Sequence, residues 1–104
     1  MKRVAFKMKL NPGQEAVYRK RHEEIWPELV KLLKDAGISG YSIFLDPSTL
    51  TLTGFLTTDN PAEYDLLPQS PIMQKWWHYM KDIMETNADG SPVAIRLEEV
   101  FHLP

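Results

Sequence analysis

The chain has no cysteine, which excludes disulfides, thiolate nucleophiles and cysteine-ligated metal centres. A cysteine-free chain suits a reducing compartment, and a cytoplasmic location is the expectation. Long hydrophobic runs are missing too. No stretch approaches the ~20 apolar residues of a membrane-spanning helix, and no apolar segment of signal-peptide type follows Met1. A basic excess is also lacking: 12 Lys and Arg stand against 14 Asp and Glu, for a net charge of −2. Neither a nucleic-acid nor a membrane-surface partner is therefore expected. Glycine is scarce, and none of it forms a phosphate-cradling loop. Nucleophile-elbow and His-Glu-x-x-His motifs are absent, so neither a metal nor an organic cofactor is expected.

What remains is an ordinary globular composition of a length that suits one domain, residues 1–104. The punctuation is clear. Asn11-Pro12, Asn60-Pro61 and Ser70-Pro71 each pair a capping side chain with a proline. An Asn or Ser side chain accepts a hydrogen bond from an amide of the first helical turn, and proline lacks the amide that would be left unpaired there. Gln14 and Glu63, three residues after the first two caps, complete capping-box patterns. Helices are expected after all three.

Strand-like runs lie between them. Residues 3–10 alternate, with Val4, Phe6, Met8 and Leu10 on one face. Tyr41, Ile43 and Leu45 share a face of residues 41–46, residues 50–58 are rich in Thr and Leu, and Asp46-Pro47-Ser48 reads as the turn between those two strands. Residues 93–101 form a last strand beginning with Val93, Ile95 and Leu97 on one face. The order β-α-β-β-α-α-β, with the two short helices taken as one crossover, is the α+β ferredoxin-like split βαβ pattern with an antiparallel sheet. Helices on one face leave the other uncovered, and an apolar open face calls for a partner. Phe44, Phe55 and Leu103 are candidates for it, and a homodimer is the expectation.

Tyr18, His22, Ile25, Leu29, Leu32 and Ala36 recur at steps of three and four, as one face of a helix. Pro27 within that run predicts a kink near Trp26. The stripe carries Tyr18 and His22 inward, one turn apart, where polar groups must find partners or line a cavity. Spacing alone leaves His22 open between a structural histidine and an acid/base group titrating near neutrality. Ile72, Trp76, Met80 and Ile83 make a second stripe, with Trp77 beside it at a rim. Trp76 is open between core packing and a platform for the C–H face of a sugar, and Tyr41 between sheet packing and a hydroxyl aimed at a cavity. His78 and His102 lack ligand spacing and read as surface groups, as do Glu23, Glu24 and Glu28. The loop Asn87 to Pro92 reads as plain connection, with a lid as the alternative.

The run Arg21-His22-Glu23-Glu24-Ile25-Trp26-Pro27-Glu28-Leu29, the pair Trp76-Trp77 and the ending Glu99-Val100-Phe101-His102-Leu103-Pro104 resemble the L-rhamnose mutarotase family. The resemblance covers essentially the whole chain, and the first run combined with the Trp pair is specific where no single piece is. It implies a dimeric α+β barrel that interconverts α- and β-L-rhamnose. It further implies His22 as proton donor and Tyr18, Tyr41, Trp76 and Trp77 as substrate contacts. The family more typically has tyrosine where this chain has His102, a change at the edge of the fold.

The chemistry suits those residue types. Mutarotation opens a cyclic hemiacetal and closes it on the other aldehyde face. It needs reversible proton transfer near neutral pH and no cofactor. Met8 is the candidate apolar contact for the C6 methyl group, and the residues name no second acid/base group. Two other readings fit the same scaffold: a cofactor-free monooxygenase-like barrel acting on flat aromatics, and a non-catalytic module that binds a small ligand.

Overall fold

The computed structural model describes all 104 residues. The elements run β1 (Lys2–Lys9), α1 (Glu15–Glu23), α2 (Pro27–Asp35), β2 (Ile38–Asp46), β3 (Thr51–Thr58), α3 (Pro61–Leu66), a 3₁₀ turn (Leu67–Gln69), α4 (Pro71–Met80) and β4 (Ile95–Leu97). The sheet is antiparallel with strand order β2-β3-β1-β4. That order, with paired helices in both crossovers, is the ferredoxin-like α+β arrangement expected. Alternation decides the faces. Val4, Met8, Leu52 and Leu56 are buried beneath the helices with Leu29, Met73, Trp76 and Met80. Phe44, Phe55, Ile95 and Leu97 lie exposed on the opposite face.

Three local expectations are corrected. The first helix begins not at Pro12 but at Glu15, with Gln14 in the N-cap position and no side-chain cap. Asn11 instead reaches across to donate its amide to the Asp82 carbonyl, at 3.4 Å. Pro27 does not kink a continuous helix; it ends one and starts another. A residue before proline is pushed out of the α region, and Trp26 is extended at φ −63°, ψ 132°, as the N-cap of α2. The last strand covers only Ile95–Leu97, shorter than residues 93–101. The edge of β1 at Lys9 and Leu10 is already occupied by Met84 and Glu85, and Val93 pairs back with Glu85. Beyond Leu97 the chain is held to β1 by the Arg3–Glu99 ion pair.

Strand β2 starts three residues earlier than its apolar alternation suggests. Ile38 and Ile43 both face the helices although their numbers differ in parity. One extra residue, between the pairs Ser39↔Thr57 and Ser42↔Phe55, makes this possible. Such a bulge switches the side-chain alternation. Gly40, at φ 59°, takes the left-handed conformation there, and Tyr41 follows it directly. The second helix-start signal behaves as expected: Asn60 caps α3 by accepting from the Glu63 amide. Ser70 stands at the N-cap of α4, without a side-chain hydrogen bond.

Candidate active site

An open cleft of about 1630 Å³ lies between the sheet and the helices. Tyr18, His22, Tyr41, Trp76 and Trp77 all line it, so the fold brings the five sequence candidates to one cavity. Ligand sites commonly enclose about 300–1,000 Å³, so this cleft is larger than one small ligand requires.

His22 sits in the last turn of α1. Its ring stacks on Tyr18 with centroids 4.3 Å apart and meets Trp76 edge-on at 5.4 Å. Its Nδ1 lies 3.0 Å from the Tyr18 carbonyl, one turn back. A carbonyl only accepts, so Nδ1 carries the hydrogen and Nε2 keeps its lone pair. Burial pulls the imidazole below its ordinary value of 6.5, and the Tyr18 carbonyl opposes that pull more weakly. The resting ring is therefore neutral near pH 7, with Nε2 free to take a proton.

Tyrosines form the next layer. Burial raises the Tyr18 phenol to about 12, with no hydrogen bond pulling it back. Tyr41 is 39% exposed as a residue, yet its phenol is also raised, first by burial and then by the phenols of Tyr18 and Tyr64. Both phenols stay protonated at neutral pH and act there as hydrogen-bond donors and acceptors.

The tryptophan pair divides as helical geometry requires, since neighbouring residues point about 100° apart. Trp76 is 7% exposed and packs against Trp26 at 5.1 Å and Tyr79 at 5.7 Å. Trp77 is half-buried at the cavity rim. The break at Pro27 explains Trp26: the extended residue places its ring on Trp76, which a continuous helix would not. Arg21 ties α1 to the end of α4. It donates to the Tyr79 carbonyl at 2.8 Å and to the Asp82 carboxylate at 2.9 and 3.1 Å, with its guanidinium 4.5 Å above the Tyr79 ring.

The cavity also holds residues the sequence reading passed over. Arg96 lines it because Ile95 and Leu97 share the outward face of β4, and the residue between them faces the helices. Tyr64, on the short helix α3, is raised chiefly by burial and drawn back by Arg96. The charge at position 96 between two apolar neighbours was a readable signal; Tyr64 offered none, since α3 has too few turns for a periodic stripe. His78 and His102 are exposed, as read from their spacing. The 87–92 loop is closed on itself, with the Asn87 amide donating to the Ser91 carbonyl at 2.7 Å and the Asp89 carboxylate accepting from the Ser91 amide. Its Ser91 and Pro92 border the cleft. No three His, Asp or Glu side chains converge to hold a metal ion.

A family model described as L-rhamnose mutarotase matches residues 3–103. An L-rhamnose mutarotase of Sinorhizobium fredii is 60% identical over 104 residues, covering 99% of each chain. One from Brucella anthropi is 58% identical over 102 residues, covering 98% of this chain and 96% of its own. The crystal structure of an L-rhamnose mutarotase from Formosa agariphila superposes with a TM-score of 0.93 at 50% identity over the full length of both chains. A Mycobacterium tuberculosis protein at 11% identity and a TM-score of 0.62 shares the fold alone. The chain belongs to the L-rhamnose mutarotase family.

Proposed function

We propose that this protein is a cofactor-free isomerase that interconverts the α and β anomers of L-rhamnose, with His22 as its proton-transfer group. The family supports the substrate. One observation supports the mechanism: a part-buried histidine, its Nδ1 held by its own helix, presents a free Nε2 in a cavity lined by three tyrosines and two tryptophans.

A single imidazole serves both halves of the reaction. The anomeric hydroxyl and the ring oxygen are bonded to the same carbon, so one nitrogen reaches both with a small shift. Neutral His22 accepts the anomeric hydroxyl proton as the ring C–O bond breaks. The imidazolium returns that proton to the departing ring oxygen, leaving an open-chain aldehyde. Rotation about the C1–C2 bond turns the other aldehyde face to the hydroxyl, and the same steps in reverse close the ring. The reaction is symmetric in demand, which suits a group titrating near the working pH. Tyr18 and Tyr41, protonated, read sugar hydroxyls, while Trp76 and Trp77 pack against its C–H face. Holding the sugar in one pose supplies the rest of the acceleration.

The protein works as a cytoplasmic homodimer in this reading. Phe44 is 68% exposed and Ile95 55%, on a sheet face also carrying Phe55 and Leu97. A contiguous apolar sheet face of this kind suits a second copy. The lack of cysteine and of any helix long and apolar enough to cross a membrane is compatible with the cytoplasm.

NMR exchange spectroscopy on L-rhamnose tests the activity. Faster exchange between the two anomeric proton signals at micromolar protein is expected. His22→Ala should keep the fold and lose about 10²–10⁴ of the acceleration. Wild-type protein that is folded and leaves the exchange rate at its value in buffer overturns the reading.

A further inference from the structure

The arrangement of Phe6 over Gly54 points to how the site tells a 6-deoxy sugar from one with a hydroxymethyl group. We infer that the Phe6 ring is the specificity-determining contact for the C6 methyl group of the sugar. This rests on the rhamnose mutarotase reading above and deepens it.

The sugar's own chemistry sets the requirement. C6 is attached to C5, and C5 is bonded to the ring oxygen that His22 must protonate. The methyl group therefore sits close to the reacting end, and its seat must be apolar and open to the cavity. Met8 also lines the cavity, but it is only 9% exposed and is packed into the core, paired across the sheet with Leu52. Phe6, one alternation earlier on β1, is half-buried and lines the cavity.

Its pose is unusual. Gly54 on β3 is its cross-strand partner. A Cβ built on Gly54 would stand 2.5 Å from Phe6 Cζ and 2.7 Å from Cε2. The ring thus occupies the space that any other side chain at position 54 would take, and it lies across β3 rather than upright between strands. It reaches Tyr41 on β2, edge to face, with centroids 6.3 Å apart. Tyr41 lines the cavity with Tyr18, which stacks on His22. Phe6 is the purely hydrocarbon member of this series, next to a residue expected to bind substrate. A hydroxymethyl group placed against it would leave its hydroxyl without a partner, at a desolvation penalty a methyl group does not meet.

The test compares L-rhamnose with L-mannose, its C6-hydroxyl analogue, in the anomer-exchange assay, using Phe6→Leu and Gly54→Ala. The wild-type protein should prefer L-rhamnose by tens-fold in kcat/KM, within the range of about 10–200-fold that a single apolar contact provides. Both variants, verified as folded by circular dichroism, should lower that preference by about tenfold. They should do so without moving the pH dependence, which belongs to His22. A merely structural role for Phe6 would slow both sugars equally. A direct readout accompanies this: nuclear Overhauser contacts from the ¹³C-labelled C6 methyl of bound L-rhamnose should reach the Phe6 ring protons. Folded variants with the wild-type sugar preference, or methyl contacts to Met8 with none to Phe6, overturn the inference and leave the mutarotase reading standing. Wild-type protein that accelerates neither sugar overturns that reading, and this inference with it.

Discussion

Replacing Trp76 with alanine separates two roles that one ring could have. As a sugar platform alone, the ring would matter for affinity and little for stability. Its surroundings argue otherwise: it is 7% exposed and touches His22, Trp26 and Tyr79. A tryptophan buries about 150–250 Å², which at ~25 cal/mol per Å² is worth about 4–6 kcal/mol as an upper bound. Large-to-small changes of this kind measure about 3–5 kcal/mol, against a total of about 5–15 kcal/mol for a typical domain. Trp76→Ala should therefore leave a marginally folded protein, with its thermal midpoint lowered by roughly 15–30 °C. Trp77→Ala, at the half-buried rim, removes less enclosed surface. It should cost about 1–2 kcal/mol and act mainly by raising KM. Melting followed by circular dichroism, with exchange rates taken well below each midpoint, makes the comparison. A Trp76→Ala protein that melts within a few degrees of wild type refutes the packing argument, whatever its activity.

Lowering the pH should switch the enzyme off through His22. The imidazole titrates below 6.5, so the rate should be flat near neutrality and fall on acidification below that value. No alkaline decline is expected up to about pH 9, because burial raises the phenols of Tyr18 and Tyr41; a decline beginning at or above pH 7 contradicts a neutral resting histidine. The same shift has a stability consequence. The unfolded chain binds the proton more readily, so stability from this group is full above 6.5 and is lost as pH falls toward the lowered folded-state value. Asn60→Ala removes the cap on the Glu63 amide and should cost about 0.5–1 kcal/mol with the exchange rate unchanged; urea titration checks it. Phe44→Glu places a charge in the open apolar sheet face and should convert the proposed dimer to monomer in sedimentation velocity. An unchanged mass would mean that this face is not the interface.

Alternation and punctuation were enough for most of the fold. The pattern at Val4, Met8, Leu52 and Leu56 is local, repeated and tied to a two-residue period, so it reads directly as a sheet with one buried face. The Asn60 signal works through both a side-chain cap and a proline within one helical turn, and the Ser70 signal through its proline alone. The failures have equally local causes. Asn11-Pro12 carries the same signal, but Asn11 spends its side chain on the Asp82 carbonyl and the helix starts later. The bulge after Ser39 was invisible because an inserted residue makes the alternation before it run out of phase. The last strand was overextended because nothing in its own residues reveals that Met84 and Glu85 already occupy the neighbouring edge.

The site divides along the same line. Residue order alone determined that Tyr18 and His22 share a helical face, that Trp76 points inward beside a rim-facing Trp77, and that cysteine chemistry is excluded. Those are consequences of helical period and composition, which need no distant contact. Tertiary structure decided the rest. It joined His22 to Trp76 across two helices, laid Phe6 over Gly54 to meet Tyr41, and turned Tyr64 and Arg96 into the cleft. It also set the tautomer of the neutral His22 ring, which spacing cannot show, because a proton's position depends on the one carbonyl that Nδ1 can reach. Such contacts join residues far apart in the chain, and the free energy that brings them together comes from the shared core rather than from any local run.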